Sequence, residues 1–151
     1  MELCYNCDLA LRRKTMVKGI GTGKSGLLIL GEAPGVSEDN QGKPFTGKAG
    51  KLIRKTIEYA GFDIDNVALA NLVLCRPINR SPYTYEVARC LPNLNAILSN
   101  TDITLIITLG RFTFNTIMGN RQTVFHNHGK VFKRGRFEVI PTFHQSQLRH
   151  D

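Results

Sequence analysis

Four short apolar runs, separated by segments of helical pattern, constrain the fold of this chain more than any other feature. The clearest run covers residues 103–109, and the others cover residues 27–30, 67–73 and 137–140. Short apolar runs of this kind are typical of strands that are buried on both faces of a sheet. Because the runs alternate with helical segments, we predict an α/β fold of three layers (αβα) with a central, mainly parallel sheet.

The segments between the runs carry the periodicity of helices. An apolar helical face precedes Gly61, which can cap it, and its members are Ala49, Leu52, Ile53, Ile57 and Ala60. We also predict a short helix over residues 84–89, a separate helix with Pro92 in its first turn, and a helix over residues 111–118.

Length and charge limit the organisation and the partners of the chain. Its 151 residues fit one domain, so we expect residues 1–151 to form a single unit. Twenty Lys and Arg residues against twelve Asp and Glu residues give a net charge of +8, which favours a polyanion such as nucleic acid. No apolar run approaches the roughly 20 residues that span a bilayer, and the N-terminus lacks the pattern of a secretory signal. We therefore expect a cytoplasmic protein with no membrane partner.

The stretch "GIGTGKSG" (residues 19–26) superficially resembles a nucleotide-binding loop. Such a loop needs a glycine where Lys18 stands, and it must follow a strand and open a helix. Here the strand-like run comes after the glycines. We therefore interpret the stretch as a flexible approach to the first strand, and a nucleotide-hydrolysing protein is a remote alternative.

Polar and glycine-rich residues follow three of the predicted strands. Gly31-Glu32-Ala33-Pro34-Gly35 follows the first strand, Asn71 lies late in the second, and His144-Gln145-Ser146 follows the last. Ligands bind at the carboxyl ends of the strands in open α/β sheets. These three segments are therefore the candidate site.

Together with "GKPFTGKAG" (residues 42–50) and "CRPINRSP" (residues 75–82), these segments resemble the uracil-DNA glycosylase superfamily, and specifically its iron–sulfur family 4. The resemblance runs over most of the chain, and its segments occur in the family's order. It implies a monofunctional enzyme that flips uracil out of DNA, hydrolyses its N-glycosidic bond and starts base-excision repair. We expect the protein to act as a monomer on DNA that contains uracil.

Four cysteines give an independent indication. Cys4 and Cys7 form a Cys-x2-Cys pair, while Cys75 and Cys90 enclose fourteen residues. Four thiolates can hold a 4Fe-4S cluster, but they can also hold a structural zinc or remain free buried thiols. The family resemblance implies the cluster, and without it zinc is nearly as good an interpretation.

The resemblance also implies roles for the residues at the strand ends. Gly31, Ala33, Pro34 and Gly35 would shape the base pocket, and Phe45 would stack on the flipped ring. Asn71 could accept a hydrogen bond from uracil N3–H and donate one to O4, whereas cytosine presents the opposite pattern. Alone, Asn71 could equally bind backbone at a strand end.

The expected catalytic residues are Glu32 and His144. His144 would donate a hydrogen bond to uracil O2 as negative charge develops there, and Glu32 would orient the water or shape the site. The expected DNA contacts fall in two groups. Arg76 and Arg80 would face the phosphate backbone, while Leu148 and Arg149, near Ser146, would enter the minor groove.

Two departures from the family's pattern bear on activity. Gln145 stands where the family has proline, which frees the backbone next to His144. The chain is also expected to be short at its C-terminus, where family members continue with a further helix. These departures motivate the alternative interpretation, a catalytically weak or inactive DNA-binding relative that keeps the iron–sulfur cluster.

Overall fold

The computed structural model describes residues 4–100 and 102–144, and one sheet organises this part of the chain. Its strands are β1 (Leu27–Gly31), β2 (Ala68–Asn71), β3 (Leu105–Leu109), β4 (Phe132–Arg134) and β5 (Phe137–Thr142). They follow the order β2-β1-β3-β5-β4. Neighbouring strands among β2, β1, β3 and β5 are parallel, and β4 pairs antiparallel with β5 at the edge.

Helices cover both faces of this sheet and complete the three predicted layers. They are α1 (Val36–Gln41), α2 (Lys48–Tyr59), α3 (Thr84–Leu98), α4 (Arg111–Met118) and α5 (Val124–Asn127). Short 3₁₀ turns occupy Asp8–Leu11 and Ile64–Asn66. Across the described ranges, no helix combines the length and the apolar character that a membrane crossing requires. The predicted α/β class and the mainly parallel sheet are confirmed.

The two faces of β1 separate two apolar cores. Leu28 and Leu30 pack into the core beneath α3 and α4, which includes the fully buried Phe114. Leu27 and Ile29 pack on the opposite face against α2. Successive side chains of a strand point to opposite faces, so a strand between two helical layers must be apolar at every position. This requirement explains the unbroken run that identifies the strand in the sequence.

The prediction of two helices around Pro92 is wrong, because α3 runs continuously through this residue. Proline lacks the amide that would donate to the carbonyl of Ala88, so one bond of the helix is lost at that point. Val87, Cys90 and Leu94 nevertheless lie in the core on one face of α3. Packing of this face keeps the helix continuous despite the missing hydrogen bond.

Other differences concern the ends of elements and their number. The second and third strands begin later than predicted, and β5 extends to Thr142. The sequence pattern missed α1, α5 and the edge strand β4, which are all short. Residues 19–26 do lead into β1, as predicted, and Ile20 forms an antiparallel bridge with Leu69 on β2.

An ion pair between the buried Glu86 and the partly exposed Arg80 fixes the start of α3. Glu86 is fully buried, and its carboxylate accepts two hydrogen bonds from Arg80, each 2.8 Å long, and one from the Tyr83 amide. The guanidinium of Arg80 also lies 3.8 Å from the centroid of the Tyr83 ring. The hydrogen bonds from Arg80 lower the pKa of Glu86 despite its burial. The pair thus attaches the loop after β2 to α3.

Candidate functional site

The carboxyl ends of β1 and β2 bring three of the predicted pocket residues together. Gly31 lies opposite Asn71 in the parallel register, and both end their strands. A side chain at Gly31 would collide with Oδ1 of Asn71 and would lie 3.2 Å from Cζ of Phe45. A side chain at position 31 would displace the Asn71 amide, so glycine leaves the space in which this amide lies close to the Phe45 ring. Asn71 and Phe45 are both buried.

The backbone of Phe45 is held in an unusual conformation. Its φ is 57°, in the left-handed region that is strained for a bulky residue. Arg54 on α2 donates from Nε to the Phe45 carbonyl and from an Nη to the Pro44 carbonyl, both at 2.9 Å. A side chain at Gly50 would collide with the Phe45 backbone. Arg54 and Gly50 therefore determine where the Phe45 ring lies.

The carboxylate of Glu38 joins the loop after β1 to the loop that carries Phe45. Oε2 of Glu38 accepts a hydrogen bond from the Gly35 amide at 3.1 Å. Its Oε1 accepts from the amides of Thr46, at 3.0 Å, and Gly47, at 2.8 Å. Gly35 belongs to the loop after β1, and Thr46 follows Phe45 in the loop before α2. Glu38 therefore links the two loops through three hydrogen bonds.

The remaining residues of the first loop lie between β1 and α1. The Val73 amide donates to the carbonyl of Glu32 at 3.3 Å, which carries the pairing of β1 and β2 beyond Asn71. Ala33 packs against the larger core, Pro34 is buried, and Gly35 caps α1. The loop is thus fixed at both ends, beside the pocket.

His144 lies further along the same edge of the sheet. Its Cβ would be 3.3 Å from a side chain placed on Gly110, which follows β3. The Gly110 amide donates to the carbonyl of Thr142, the last residue of β5. The carboxyl ends of β1, β2, β3 and β5 all face this edge because these strands are parallel. The structure therefore brings Glu32, Asn71 and His144 to one edge, although His144 follows a different strand.

The four cysteines line one pocket beside α3. Cys4 and Cys7 precede the first 3₁₀ turn, Cys75 follows β2, and Cys90 lies on α3. Burial raises the pKa of the Cys75 thiol, and the hydrogen bond from Arg13, at 3.2 Å, opposes that rise. Burial also raises the pKa of Cys90, to about 11. Both shifts favour protonated thiols, so a metal that binds them must displace protons.

The arrangement of the thiols bears on the kind of metal that they could hold. Among residues 4–100 and 102–144, no group of three or more His, Cys, Asp or Glu side chains is arranged to hold a metal ion. The four thiols nevertheless line one pocket, and four thiolates are the ligand set of a 4Fe-4S cluster and also of a structural zinc ion.

Two of the predicted DNA contacts lie within the described residues, in the loop after β2. Arg76 is half-buried in the loop that follows β2, and Arg80 forms the ion pair with Glu86. Three predicted contacts, Ser146, Leu148 and Arg149, lie outside the described residues, as does Gln145.

The sequence interpretation missed three residues that support the site. Glu38 stands three residues after the N-cap Gly35, where a glutamate side chain can accept from the N-cap amide, and this spacing could have revealed it. Arg54 and Arg13 act on residues distant in the sequence, Phe45 and Cys75, so no local pattern indicates them.

Comparisons with known proteins agree with this geometry. A model of the uracil DNA glycosylase superfamily matches residues 19–151. A type-4 uracil-DNA glycosylase of Saccharolobus solfataricus is 38% identical over 93% of this chain and 70% of its own length. The proteins of the same name from Archaeoglobus fulgidus and Thermotoga maritima are 35% and 34% identical, over 96% and 98% of this chain and 77% and 79% of their own lengths.

The α/β sheet, with Phe45 and Asn71 together at the carboxyl ends of its strands, and the match over most of the chain define one class of protein. This chain belongs to the uracil-DNA glycosylase superfamily. Within that superfamily it is similar to the type-4 enzymes, so the resemblance in the sequence is confirmed.

The contact between Arg54 and the Phe45 loop predicts a measurable loss of stability. Arg54→Met keeps the apolar stem but leaves two backbone carbonyls without their donors, so the free energy of unfolding should fall by about 2 kcal/mol. Lys51→Met, at an exposed position on the same helix, is the matched control and should change it by less than about 0.5 kcal/mol. Urea denaturation measures both values. Equal stabilities of the two variants would contradict the role of Arg54.

Proposed function

We propose that this chain removes uracil from DNA by hydrolysing the N-glycosidic bond, and that it thereby starts base-excision repair. The observation that carries the proposal is the meeting of Gly31, Phe45 and Asn71 at the ends of β1 and β2. An aromatic ring and a buried amide side by side suit a planar base with a polar edge. Membership of the superfamily and similarity to type-4 enzymes support the same reaction.

The base is selected by Asn71 in this proposal. Its carbonyl oxygen accepts from uracil N3–H and its NH₂ group donates to O4, while the Phe45 ring stacks on the base. Cytosine offers an acceptor at N3 and a donor at N4, so it would leave buried polar groups mispaired. A mispaired buried edge discriminates strongly between bases. The neighbouring Gly31 leaves the space in which the Asn71 amide lies.

The chemistry breaks the bond between C1′ of the sugar and N1 of uracil. The electron pair of that bond leaves with the base, and negative charge develops on uracil O2 as the sugar becomes oxocarbenium-like. His144 donates a hydrogen bond to O2, and Glu32 orients the water whose oxygen bonds to C1′. The proton that this water loses balances the one that the uracil anion takes up. Extrusion of the base from the stack must come first.

Contacts to DNA outside the pocket come from both sides of it in this proposal. Arg76 and Arg80 face phosphates from the loop after β2, and the ion pair of Arg80 with Glu86 would hold its guanidinium in place. Ser146 and Arg149 contact the phosphate backbone of the DNA beyond His144. Leu148 fills the gap that the flipped base leaves in the stack.

Cys4, Cys7, Cys75 and Cys90 are the proposed ligands of a 4Fe-4S cluster. Their common pocket supports this assignment, as does the similarity to type-4 enzymes. A bound cluster would supply a covalent link between the N-terminal segment, the loop after β2 and α3. We further propose that residues 1–151 act as one monomeric unit in the cytoplasm, where the thiols stay reduced.

Metal analysis tests the cysteine assignment. Protein purified without oxygen should be brown and should contain about four iron and four sulfide per chain. Cys75→Ser should lose most of this iron, whereas Ser99→Ala, at an exposed position directly after α3, should retain it. Stoichiometric zinc without iron, in protein never exposed to air, would overturn the assignment.

Base selection by Asn71 is tested by substitution at this one position. Asn71→Ala should lower the single-turnover rate of uracil release by about 10²-fold, since the loss of a preorganised polar partner typically costs that much. Asn71→Asp should weaken release of uracil and raise release of cytosine, because a protonated carboxyl offers a different donor pattern. Rates on oligonucleotides that contain one uracil or only cytosine measure both effects. Full uracil excision by both variants would exclude Asn71 from recognition.

A further inference from the structure

A short segment between α4 and β4 presents an exposed aromatic ring whose purpose the base pocket does not explain. Phe125 lies on α5, and its side chain is 77% exposed. The preceding residue, Val124, is buried in the larger core and anchors the helical turn from beneath. The Thr123 side chain caps the turn by accepting a hydrogen bond from the His126 amide. The His126 ring packs edge-on against Phe125, with 5.2 Å between centroids.

The same segment is attached to the strand that delivers His144. The Gly129 amide donates to the carbonyl of Pro141 on β5 at 3.0 Å. The His128 ring lies 4.6 Å from the Phe143 ring, measured between centroids, and Phe143 directly precedes His144. These contacts fix the backbone around Phe125. Binding of a ligand to the ring therefore costs little conformational entropy of the protein.

Charge identifies the chemistry of the ligand. Residues 103–137 contain six Arg and Lys residues and no Asp or Glu. Arg136 is engaged, because it donates to the carbonyl of Ile103 at 2.8 Å and lies over the Phe137 ring. Arg111 and Lys130 are exposed, one at the end of β3 and the other just after the segment that carries Phe125. A segment that carries cations and no carboxylates attracts a polyanion.

The geometry of the sheet gives the distance between Gly31 and the point where this segment joins β5. Pro141 is near the carboxyl end of β5, and Gly31 ends β1 at the same edge because the strands are parallel. Two strand spacings separate β5 from β1, which amounts to roughly 10 Å. A DNA strand advances about 3.4 Å for each nucleotide. The segment that carries Phe125 is therefore joined to the sheet within the length of a few nucleotides of Gly31.

We propose that Phe125, Arg111 and Lys130 form a second DNA-contact site, which binds unpaired nucleotides next to the uracil. The Phe125 ring stacks on a base, and the two cations face the phosphates on either side. Stacking on aromatic side chains is tolerant of sequence, because every base has a π-face. The inference rests on the proposed function, since its ligand is the same DNA, but the site contributes to affinity and not to the chemical step.

Equilibrium binding to a labelled single-stranded oligonucleotide without uracil tests this site. Phe125→Ala should raise the Kd about tenfold, while Phe125→Tyr should keep it within about twofold, because tyrosine also stacks. Tyr59→Ala is the matched control, since Tyr59 is 95% exposed at the end of α2, ahead of the amino end of β2. Its Kd should equal that of the wild type.

The salt dependence separates stacking from charge. The slope of log Kd against log salt should be unchanged in Phe125→Ala, whereas Lys130→Ala should reduce it by about 0.7. Phe125→Leu provides a second test that retains an apolar side chain, and it should bind as weakly as Phe125→Ala.

Three results would overturn the proposal: wild-type affinity in Phe125→Ala, wild-type affinity in Phe125→Leu, or an equal loss in Tyr59→Ala. Uracil release by the wild-type protein is measured separately. Absence of release together with the predicted loss in Phe125→Ala would refute the proposed function and leave the second site standing. Normal release without that loss would refute the second site alone.

Discussion

The Glu38 carboxylate makes the contacts on which the arrangement of the loops around Phe45 most depends. It accepts three backbone amides from two loops that are separated by α1, and thereby sets the distance between the loop after β1 and the loop that carries Phe45. Hydrogen bonds to an ionised carboxylate are about twice as strong as neutral ones. Because both loops are rich in glycine, they would otherwise be costly to order. One side chain therefore holds two glycine-rich loops in a single arrangement.

The strained conformation of Phe45 follows from this arrangement. Gly50 brings α2 against the Phe45 backbone, and Arg54 holds the two carbonyls before and at that residue. On the other side of the pocket, the register of β1 and β2 places Gly31 opposite Asn71. A slip of one residue would turn Asn71 to the other face of the sheet. The Phe45 ring and the Asn71 amide thus lie together because of both the register of β1 and β2 and the hydrogen bonds that hold the Phe45 loop.

Much of the fold could be predicted because each signal is local. The apolar run in β1 and the helical pattern of α4 depend only on neighbouring residues, and both elements were found where the pattern indicated. The continuous helix through Pro92 could not be predicted in this way, since packing of Val87 and Leu94 against the core outweighs the local effect of proline. Arg54 likewise acts through a contact that the sequence does not reveal. The family resemblance indicated which residues to expect at the site. The contacts that hold those residues in place were visible only in the structure.

Uracil release in a single turnover tests the central claim most directly. The wild-type protein and His144→Ala are each mixed in excess with single- and double-stranded oligonucleotides that carry one uracil, and the freed base is measured by mass. We predict release by the wild type, no release of cytosine, and a rate about 10²- to 10³-fold lower in His144→Ala, with similar affinity for DNA. Tight binding of both oligonucleotides by the wild type without release of uracil would contradict the account and leave a DNA-binding relative in its place.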